Sequence, residues 1–186
     1  MNFQEAWKTG QVVRKHTMEN IRAENIAEHT WGVVSLLMIA WPVVPLRVVV
    51  AAQFHDSGER ATGDMPGPTK WANPVLEAEM DRLEQQHITD TLPKHLRDVI
   101  SELTEDEWAV VEFFDRADFC MSMIRERTLG NEYSMIYFKR ALDKMRQTFQ
   151  VYLEDFRAKD PELTRGMKLL YDEIESSYNH FHKREK

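Results

Sequence analysis

Apolar residues recur three or four positions apart along most of this 186-residue chain. The spacing is clearest in three groups: Val33, Leu36, Leu37 and Ala40; Val110, Phe113, Ala117, Met121 and Ile124; and Phe138, Leu142, Met145, Phe149 and Phe156. Such spacing places the apolar side chains on one face of an α-helix, whereas a half-buried strand alternates apolar and polar residues. No convincing alternation is present. The pattern therefore predicts an all-α fold.

Helix start and stop signals divide the chain into seven or eight helices. The predicted spans are 3–13, 25–41, 45–59, 72–87, 94–103, 105–128 and 131–158, with an eighth from 161 to 182. Pro161 fits a first helical turn, and Gly130 fits a helix end. Because no composition break or repeat divides the sequence, we expect residues 1–186 to form one helical bundle, with 184–186 as a tail.

Charge and composition exclude several classes of partner. The formal net charge of −7 and the pI of about 5.5 work against sequence-independent binding to nucleic acid or acidic lipid. The single cysteine, Cys120, cannot form an internal disulfide, and the N-terminus lacks the pattern of a signal peptide. The longest apolar stretch, 33–50, is interrupted by Pro42, Pro45 and Arg47, so it does not fit a membrane span. We expect a cytoplasmic protein without a nucleic-acid or membrane partner.

Residues 48–64, with the sequence VVVAAQFHDSGERATGD, join an apolar run to a charged end. His55 and Glu59 are four positions apart on the predicted third helix, so an imidazole and carboxylates share one side of its last turn. Such a face can hold a metal ion. A histidine bonded within the core and an aspartate near a helix end would give the same pair, so His55 and Asp56 alone leave both interpretations open. The loop 62–71 contains two prolines and two glycines and cannot continue the helix, so we expect a pocket there.

Two other predicted helices carry polar residues among apolar ones. His29 lies at the start of the apolar helix in AENIAEHTWGVV, and Asp115 and Asp118 lie one turn apart in EFFDRADFCMSMI. Burying a carboxylate against such side chains costs several kcal/mol unless a cation or donor compensates it. A histidine, a His-Asp pair and an aspartate from three helices would form a mixed nitrogen and oxygen site. This donor set suits a divalent transition ion and differs from a thiolate structural site.

These residues carry a resemblance to a known family. In chain order, His29, His55-Asp56 and Asp118 resemble the H…HD…D pattern of the HD-domain metal-dependent phosphohydrolases. The segments RAENIAEHTW, HDSGERATGDMPGPTK and RADFC, followed by ERTLGN, are similar to segments of the bacterial 5′-deoxynucleotidase subgroup. The resemblance implies an all-α, single HD-domain bundle that hydrolyses 2′-deoxynucleotides and self-associates into a homo-oligomer.

The resemblance also implies a role for each matching residue. His29, His55, Asp56 and Asp118 would bind one divalent ion (Co²⁺, Mn²⁺, Zn²⁺ or Fe²⁺), and Asp115 is interpreted as a helix-surface residue or a neighbour of the ligands. Glu59 would position or deprotonate the attacking water, and Asp64 would protonate or orient the leaving oxygen. The predicted substrate-binding residues are Arg14 as phosphate clamp, Lys15 and Lys70 as further cations, and Trp71 as a wall of the nucleoside pocket.

One departure from the subgroup leaves the substrate open. The deoxynucleotidases carry a tryptophan after the clamp arginine, where this chain has Lys15. An added cation there suits a longer phosphate tail, as in related phage dATP and dNTP triphosphohydrolases that release tripolyphosphate, whereas a solvated lysine leaves the monophosphate reaction in place. The sequence favours a 5′-deoxynucleotidase over the triphosphohydrolase.

Two further classes are disfavoured. A non-catalytic, nucleotide-binding HD scaffold would be free to lose Glu59 and Asp64, yet the chain keeps both. A di-iron HD oxygenase would need additional histidine ligands, and the spare histidines, His87 and His95, lack the motif context.

Overall fold

A computed structural model describes residues 3–65, 72–155 and 160–183 and confirms the all-α prediction. The α-helices are α1 (Phe3–Lys8), α2 (Ile26–Ala40), α3 (Leu46–Phe54), α4 (Glu59–Thr62), α5 (Pro74–Thr91), α6 (Lys94–Ser101), α7 (Glu105–Thr128), α8 (Ser134–Asp155) and α9 (Pro161–Lys183). A short 3-10 helix spans Thr9–Gln11, and two strands, β1 (Val13–Arg14) and β2 (Glu24–Asn25), form an antiparallel pair.

The predicted first helix, 3–13, is wrong beyond Lys8. After the 3-10 turn the chain becomes extended, and Val13 lies opposite Asn25 while Arg14 lies opposite Glu24. β-branched side chains such as that of Val13 favour extended backbone. A strand of two residues contains no full alternation of apolar and polar positions, so periodicity could not reveal it. The hairpin places Arg14 directly before the start of α2.

The predicted helix 45–59 is divided in the structure. α3 ends at Phe54, and tighter turns follow, in which the N–H of Ser57 bonds to Phe54 O (3.0 Å) and that of Glu59 bonds to Asp56 O (3.1 Å). These bonds span three residues instead of the four of an α-helix. His55 and Asp56 therefore lie in a turn, and Glu59 begins the separate helix α4.

Helix α7 lies at the centre of the packing, against α2, α3, α8 and α9. Its start is fixed by a capping box between Thr104 and Glu107. The largest fully buried side chains come mainly from α2, α7, α8 and α9: Leu37, Phe113, Phe114, Met123, Phe138, Met145, Leu163, Met167 and Ile174. Cys120 is buried in this core with a free thiol.

Two glycines set the distances between these helices. A Cβ added to Gly32 of α2 would lie 1.9 Å from Asp118 Oδ1 of α7. A Cβ added to Gly166 of α9 would lie 2.0 Å from Ala40 O at the end of α2. Both contacts are too short for any side chain, so close helix approach depends on glycine at both positions.

The apolar helix α2 has only 15 residues and leaves Met38 and Ile39 exposed. Within 3–65, 72–155 and 160–183, no helix combines the length and apolar character needed to cross a bilayer.

Candidate active site

His29 connects two groups of acidic side chains. It lies in the first turn of α2, which the Asn25 side chain caps by accepting the Glu28 N–H (2.9 Å). Its ring is buried, with 1% of the residue exposed. One ring nitrogen, Nδ1, lies 2.7 Å from Asp118 Oδ2, and the other, Nε2, faces a second cluster.

The second cluster brings four side chains to one centre. His29 Nε2 lies 3.3 Å from His55 Nε2, 3.3 Å from Asp56 Oδ2 and 3.1 Å from Asp115 Oδ1. His55 Nε2 in turn lies 3.2 Å from Asp56 Oδ1 and 3.8 Å from Asp115 Oδ1. Two imidazole nitrogens and two carboxylates from α2, the turn after α3 and α7 therefore converge.

This donor set fits a divalent metal ion. Imidazole and carboxylate groups together are ligands for divalent transition ions. Asp56 Oδ2 is buried and has no hydrogen-bond partner among the described residues. A buried carboxylate oxygen without a donor is costly, and a cation at the centre would compensate it.

The two aspartates of α7 make different contacts with His29. Asp115, interpreted from sequence as a surface residue or a neighbour of the ligands, directs Oδ1 to the common centre, although its side chain remains 35% exposed. Asp118, predicted as a ligand, accepts a hydrogen bond from His29 Nδ1 and forms a second group of possible ligands with Glu24 and His29. That bond fixes the ring orientation and leaves Nε2 free to face the centre.

His55 is oriented in the same way. Its Nδ1 lies 2.9 Å from Ala52 O and donates to it, so Nε2 keeps its lone pair toward the centre. Without a metal ion, burial lowers the pKa of His55, but the charges of Asp56 and Asp115 outweigh burial and raise it. Protonated imidazoles compete with a metal ion, so a metal ion that binds here would displace protons.

Arg14 lies beside the cluster with unused donors. Its Nη2 is 3.7 Å from Asp56 Oδ2 and 3.9 Å from Asp115 Oδ1, and its Nε is 3.8 Å from Asp64 Oδ1. The guanidinium is largely buried, yet Nε and Nη1 have no hydrogen-bond partner among the described residues. A planar, charged guanidinium with unpaired N–H groups is suited to bind an oxyanion such as phosphate.

The surroundings of Glu59 favour the protonated form of its carboxyl group. Burial and the neighbouring charge of Asp56 raise the pKa of Glu59 to about 9. Its Oε2 is buried without a hydrogen-bond partner among the described residues. A carboxylate with so high a pKa is a strong base once it is ionised, and it lies at the start of α4, three residues after Asp56.

Lys15 is buried and contacts Asp64, Glu24 and Ser122. Its backbone N–H donates to Asp64 Oδ2 (2.6 Å), and its ammonium lies 2.8 Å from both Glu24 Oε1 and Ser122 Oγ. Burial raises the pKa of Glu24, but Lys15 outweighs this effect and keeps it below the usual value. The other two predicted substrate-binding residues, Lys70 and Trp71, lie outside the described residues.

Sequence reasoning missed Glu126, which connects the segment after β1 to α7. Its buried carboxylate accepts the N–H groups of Ile21 (2.7 Å) and Arg22 (3.0 Å) and the side-chain amide of Asn131 (2.9 Å). The only sequence signal was a glutamate on the inner face of a long apolar helix, which also fits an exposed position.

Comparison with known proteins identifies the family. A family model described as 5′-deoxynucleotidase YfbR-like matches residues 3–159. The chain belongs to the YfbR-like 5′-deoxynucleotidase family. It is 24% identical over 181 residues to a 5′-deoxynucleotidase of Enterobacter sp. strain 638, covering 82% of this chain and 89% of that protein. It is 28% identical over 148 residues to the 5′-deoxynucleotidase of Citrobacter koseri, covering 68% of this chain and 72% of that protein.

Solved structures confirm the fold expected of a YfbR-like protein. The HD phosphohydrolase DatZ of cyanophage S-2L, solved with dA and one catalytic Zn²⁺ ion, has a TM-score of 0.72 at 17% identity, covering 95% of this chain and 98% of DatZ. An HD-domain phosphohydrolase of Listeria innocua has a TM-score of 0.62 at 18% identity, covering 94% of this chain and 96% of that one. The YfbR-like chain therefore has the helical fold of these HD-domain phosphohydrolases.

Proposed function

We propose that this protein is a metal-dependent 5′-deoxynucleotidase that converts a deoxynucleoside monophosphate into the deoxynucleoside and inorganic phosphate. The observation that carries the proposal is the convergence of four ligand atoms beside a buried arginine with unused donors. Membership of the YfbR-like family supports the same reaction.

His29, His55, Asp56 and Asp115 would hold one divalent ion, and Asp118 would orient His29. Asp115 replaces Asp118 as the proposed fourth ligand because its Oδ1 lies 3.1 Å from His29 Nε2, at the common centre. The nitrogen and oxygen donors suit Co²⁺, Mn²⁺, Zn²⁺ or Fe²⁺. When bound, the ion supplies a Lewis acid for the phosphoryl oxygen and lowers the pKa of the attacking water.

The remaining roles belong to residues of this chain. Arg14 binds the phosphate oxygens and offsets the negative charge that gathers during phosphoryl transfer. In its ionised form, Glu59 accepts the proton of the attacking water as the water oxygen forms the new bond to phosphorus. Asp64 supplies or orients the proton for the sugar oxygen as the bond from phosphorus to that oxygen breaks. No covalent nucleophile is required.

The alternative reaction is a dNTP triphosphohydrolase that releases tripolyphosphate. The likeness in fold to a phage HD phosphohydrolase keeps it under consideration. The monophosphate is favoured because the Lys15 ammonium, which would bind a longer phosphate tail, is already bonded to Glu24 and Ser122.

The remaining inferences concern the setting of the enzyme. We infer that residues 1–186 form one domain that works in the cytoplasm, which is the host cytoplasm if a phage encodes it, and that it binds small deoxynucleotides. We also infer a homo-oligomer, because α2 and α9 expose Ile39 (80%) and Leu169 (59%) along one groove. Apolar side chains exposed along a groove are typical of an interface between protein chains.

A product assay tests the proposed function. Purified protein with Mn²⁺, Co²⁺ or Mg²⁺ is offered the common dNMPs and dNTPs and a matched ribonucleotide panel. Inorganic phosphate from a dNMP is the expected result, and tripolyphosphate from a dNTP would support the alternative. Absence of both metal binding and hydrolysis would refute the proposal.

Two variants connect the assay to the site. His55→Ala should lose the metal ion together with activity, because it removes a proposed ligand. Glu59→Ala should retain the ion and lose most turnover, because it removes only the proton acceptor. A non-catalytic scaffold would show no turnover in the wild type or in either variant.

A further inference from the structure

The contacts of Lys15 define a different task from the substrate binding predicted for it from sequence. We propose that Lys15 is a positioning residue, which holds the Arg14 segment and Asp64 in place through its backbone N–H and its buried ammonium. This inference rests on the proposed function, since it assigns Lys15 to the same site.

The backbone of Lys15 is held in an unusual conformation. Its φ of 56° lies in the left-handed region, which residues other than glycine rarely occupy and which persists only where the surroundings fix it. The N–H donates to Asp64 Oδ2 at 2.6 Å across 49 positions of sequence. The carbonyl accepts the Met18 N–H and the Asn20 side-chain amide, each at 2.9 Å. Both polar backbone groups of Lys15 are therefore used, one of them on a proposed catalytic residue.

The ammonium of Lys15 is directed to protein groups and not to the metal-binding centre. A lysine offers three N–H donors. One faces Glu24 Oε1 (2.8 Å), one faces Ser122 Oγ (2.8 Å), and the charge lies 5.5 Å from the centroid of the Phe119 ring. Lys15 and Glu24 are 5% and 4% exposed, so this is a buried ion pair.

The ion pair connects the elements of the active site. Glu24 lies opposite Arg14 in the strand pair, so Lys15 and Glu24 close the hairpin that carries the phosphate-binding guanidinium. Ser122 lies one helical turn beyond Asp118 on α7, and Asp118 orients His29. The pair thus fixes the hairpin against the helix that provides the metal-binding face.

The energetics of buried ion pairs allow a sharp test. Removing one partner leaves an uncompensated buried charge, whereas replacing both partners with neutral groups is often close to neutral for stability. Glu24 keeps a second partner, Arg125, at 3.1 Å, and a glutamine at position 24 can still accept that hydrogen bond. The variants are Lys15→Met, Glu24→Gln and the double variant. Lys139→Met, which breaks an exposed pair with Asp143, is the matched control.

Steady-state kinetics on the preferred dNMP gives the first readout. We expect each single variant to lower kcat roughly 10- to 100-fold, because small displacements of catalytic groups have effects of this size. KM should change little, the double variant should recover most of kcat, and Lys139→Met should match the wild type. A substrate-binding ammonium would instead raise KM at nearly unchanged kcat without recovery in the double variant, and that result overturns the inference. A fall in melting temperature with unchanged kcat also overturns it, because Lys15 would then be structural only.

A second readout needs no turnover, so it separates this inference from the proposed function. Hydrogen exchange measured by NMR reports whether the amide at position 15 stays bonded to Asp64. Glu24→Gln should accelerate that exchange at least about tenfold, and the double variant should restore protection. Unchanged protection in Glu24→Gln overturns the inference even if the wild type hydrolyses no deoxynucleotide. If Lys15→Met does not fold, Glu24→Gln carries the same comparison.

Discussion

Asparagine substitution at the two aspartates of α7 tests which of them binds the metal ion. Asp115 and Asp118 lie one turn apart, but Asp115 Oδ1 faces the common centre while Asp118 Oδ2 faces the outer nitrogen of His29. Asp115→Asn and Asp118→Asn remove one charge each and preserve side-chain size. They are therefore matched controls for each other.

The expected difference follows from charge and hydrogen bonding. Two opposite unit charges about 4 Å apart attract each other by about 4 kcal/mol at the effective permittivity of a protein site. The 35% exposure of Asp115 reduces this, so we take about 3 kcal/mol, or roughly a hundredfold weaker metal binding for Asp115→Asn. Asp118→Asn keeps an oxygen that accepts the His29 N–H. Mutation of a hydrogen-bond partner of a metal ligand weakens metal binding by about 10- to 100-fold. Because Asp118→Asn preserves the hydrogen bond, we expect it to weaken metal binding by about tenfold.

Isothermal titration with Mn²⁺ or Co²⁺ measures both affinities, and thermal unfolding confirms that both variants fold. Asp115→Asn should bind metal roughly ten times more weakly than Asp118→Asn. If Asp118→Asn proves the weaker of the two, the assignment of Asp115 as ligand is wrong and the assignment from the sequence pattern is right.

Three other perturbations have defined outcomes. Glu126→Ala leaves the N–H groups of Ile21 and Arg22 without an acceptor and removes one of the two acceptors of the Asn131 amide, so it should lower the free energy of unfolding by about 3 kcal/mol in a denaturant titration, with a smaller loss for Glu126→Gln. Gly166→Ala forces a Cβ onto Ala40 O and should cost about 1–3 kcal/mol in the same titration, and an unchanged midpoint would contradict the close approach of α9 to α2. Glu59 has a folded-state pKa of about 9 against a usual value of 4.5, so its contribution to the stability of metal-free protein is complete below pH 4.5 and is lost as pH rises toward 9. Glu59→Gln should therefore raise the melting temperature of metal-free protein more at pH 8 than at pH 5, and equal shifts would contradict the raised pKa.

Sequence patterns predicted those parts of the fold that local signals determine. Helix α7 was predicted with the observed bounds because apolar spacing and its termini agree. The strands were missed because a two-residue strand has no period, and the break after Phe54 was missed because three-residue and four-residue hydrogen bonds share nearly the same apolar spacing.

The sequence patterns also predicted only part of the candidate site. The pattern singled out His29, His55 and Asp56, whose ligand atoms the structure brings together. Helical spacing alone could not separate Asp115 from Asp118, because residues three apart share a helix face; the choice of Asp118 as ligand came from the family resemblance and stays a prediction. The burial of Lys15 against Ser122 joins positions 107 residues apart, and no local pattern encodes such a contact.

Gly32 constrains the geometry of the candidate active site. It has no functional group, yet a Cβ there would lie 1.9 Å from Asp118 Oδ1, so any side chain would displace this carboxylate. The His29 ring would then lose the hydrogen bond that fixes its orientation toward the other donors. A mutagenesis library that seeks new substrates should therefore leave residue 32 unvaried, together with the donor residues.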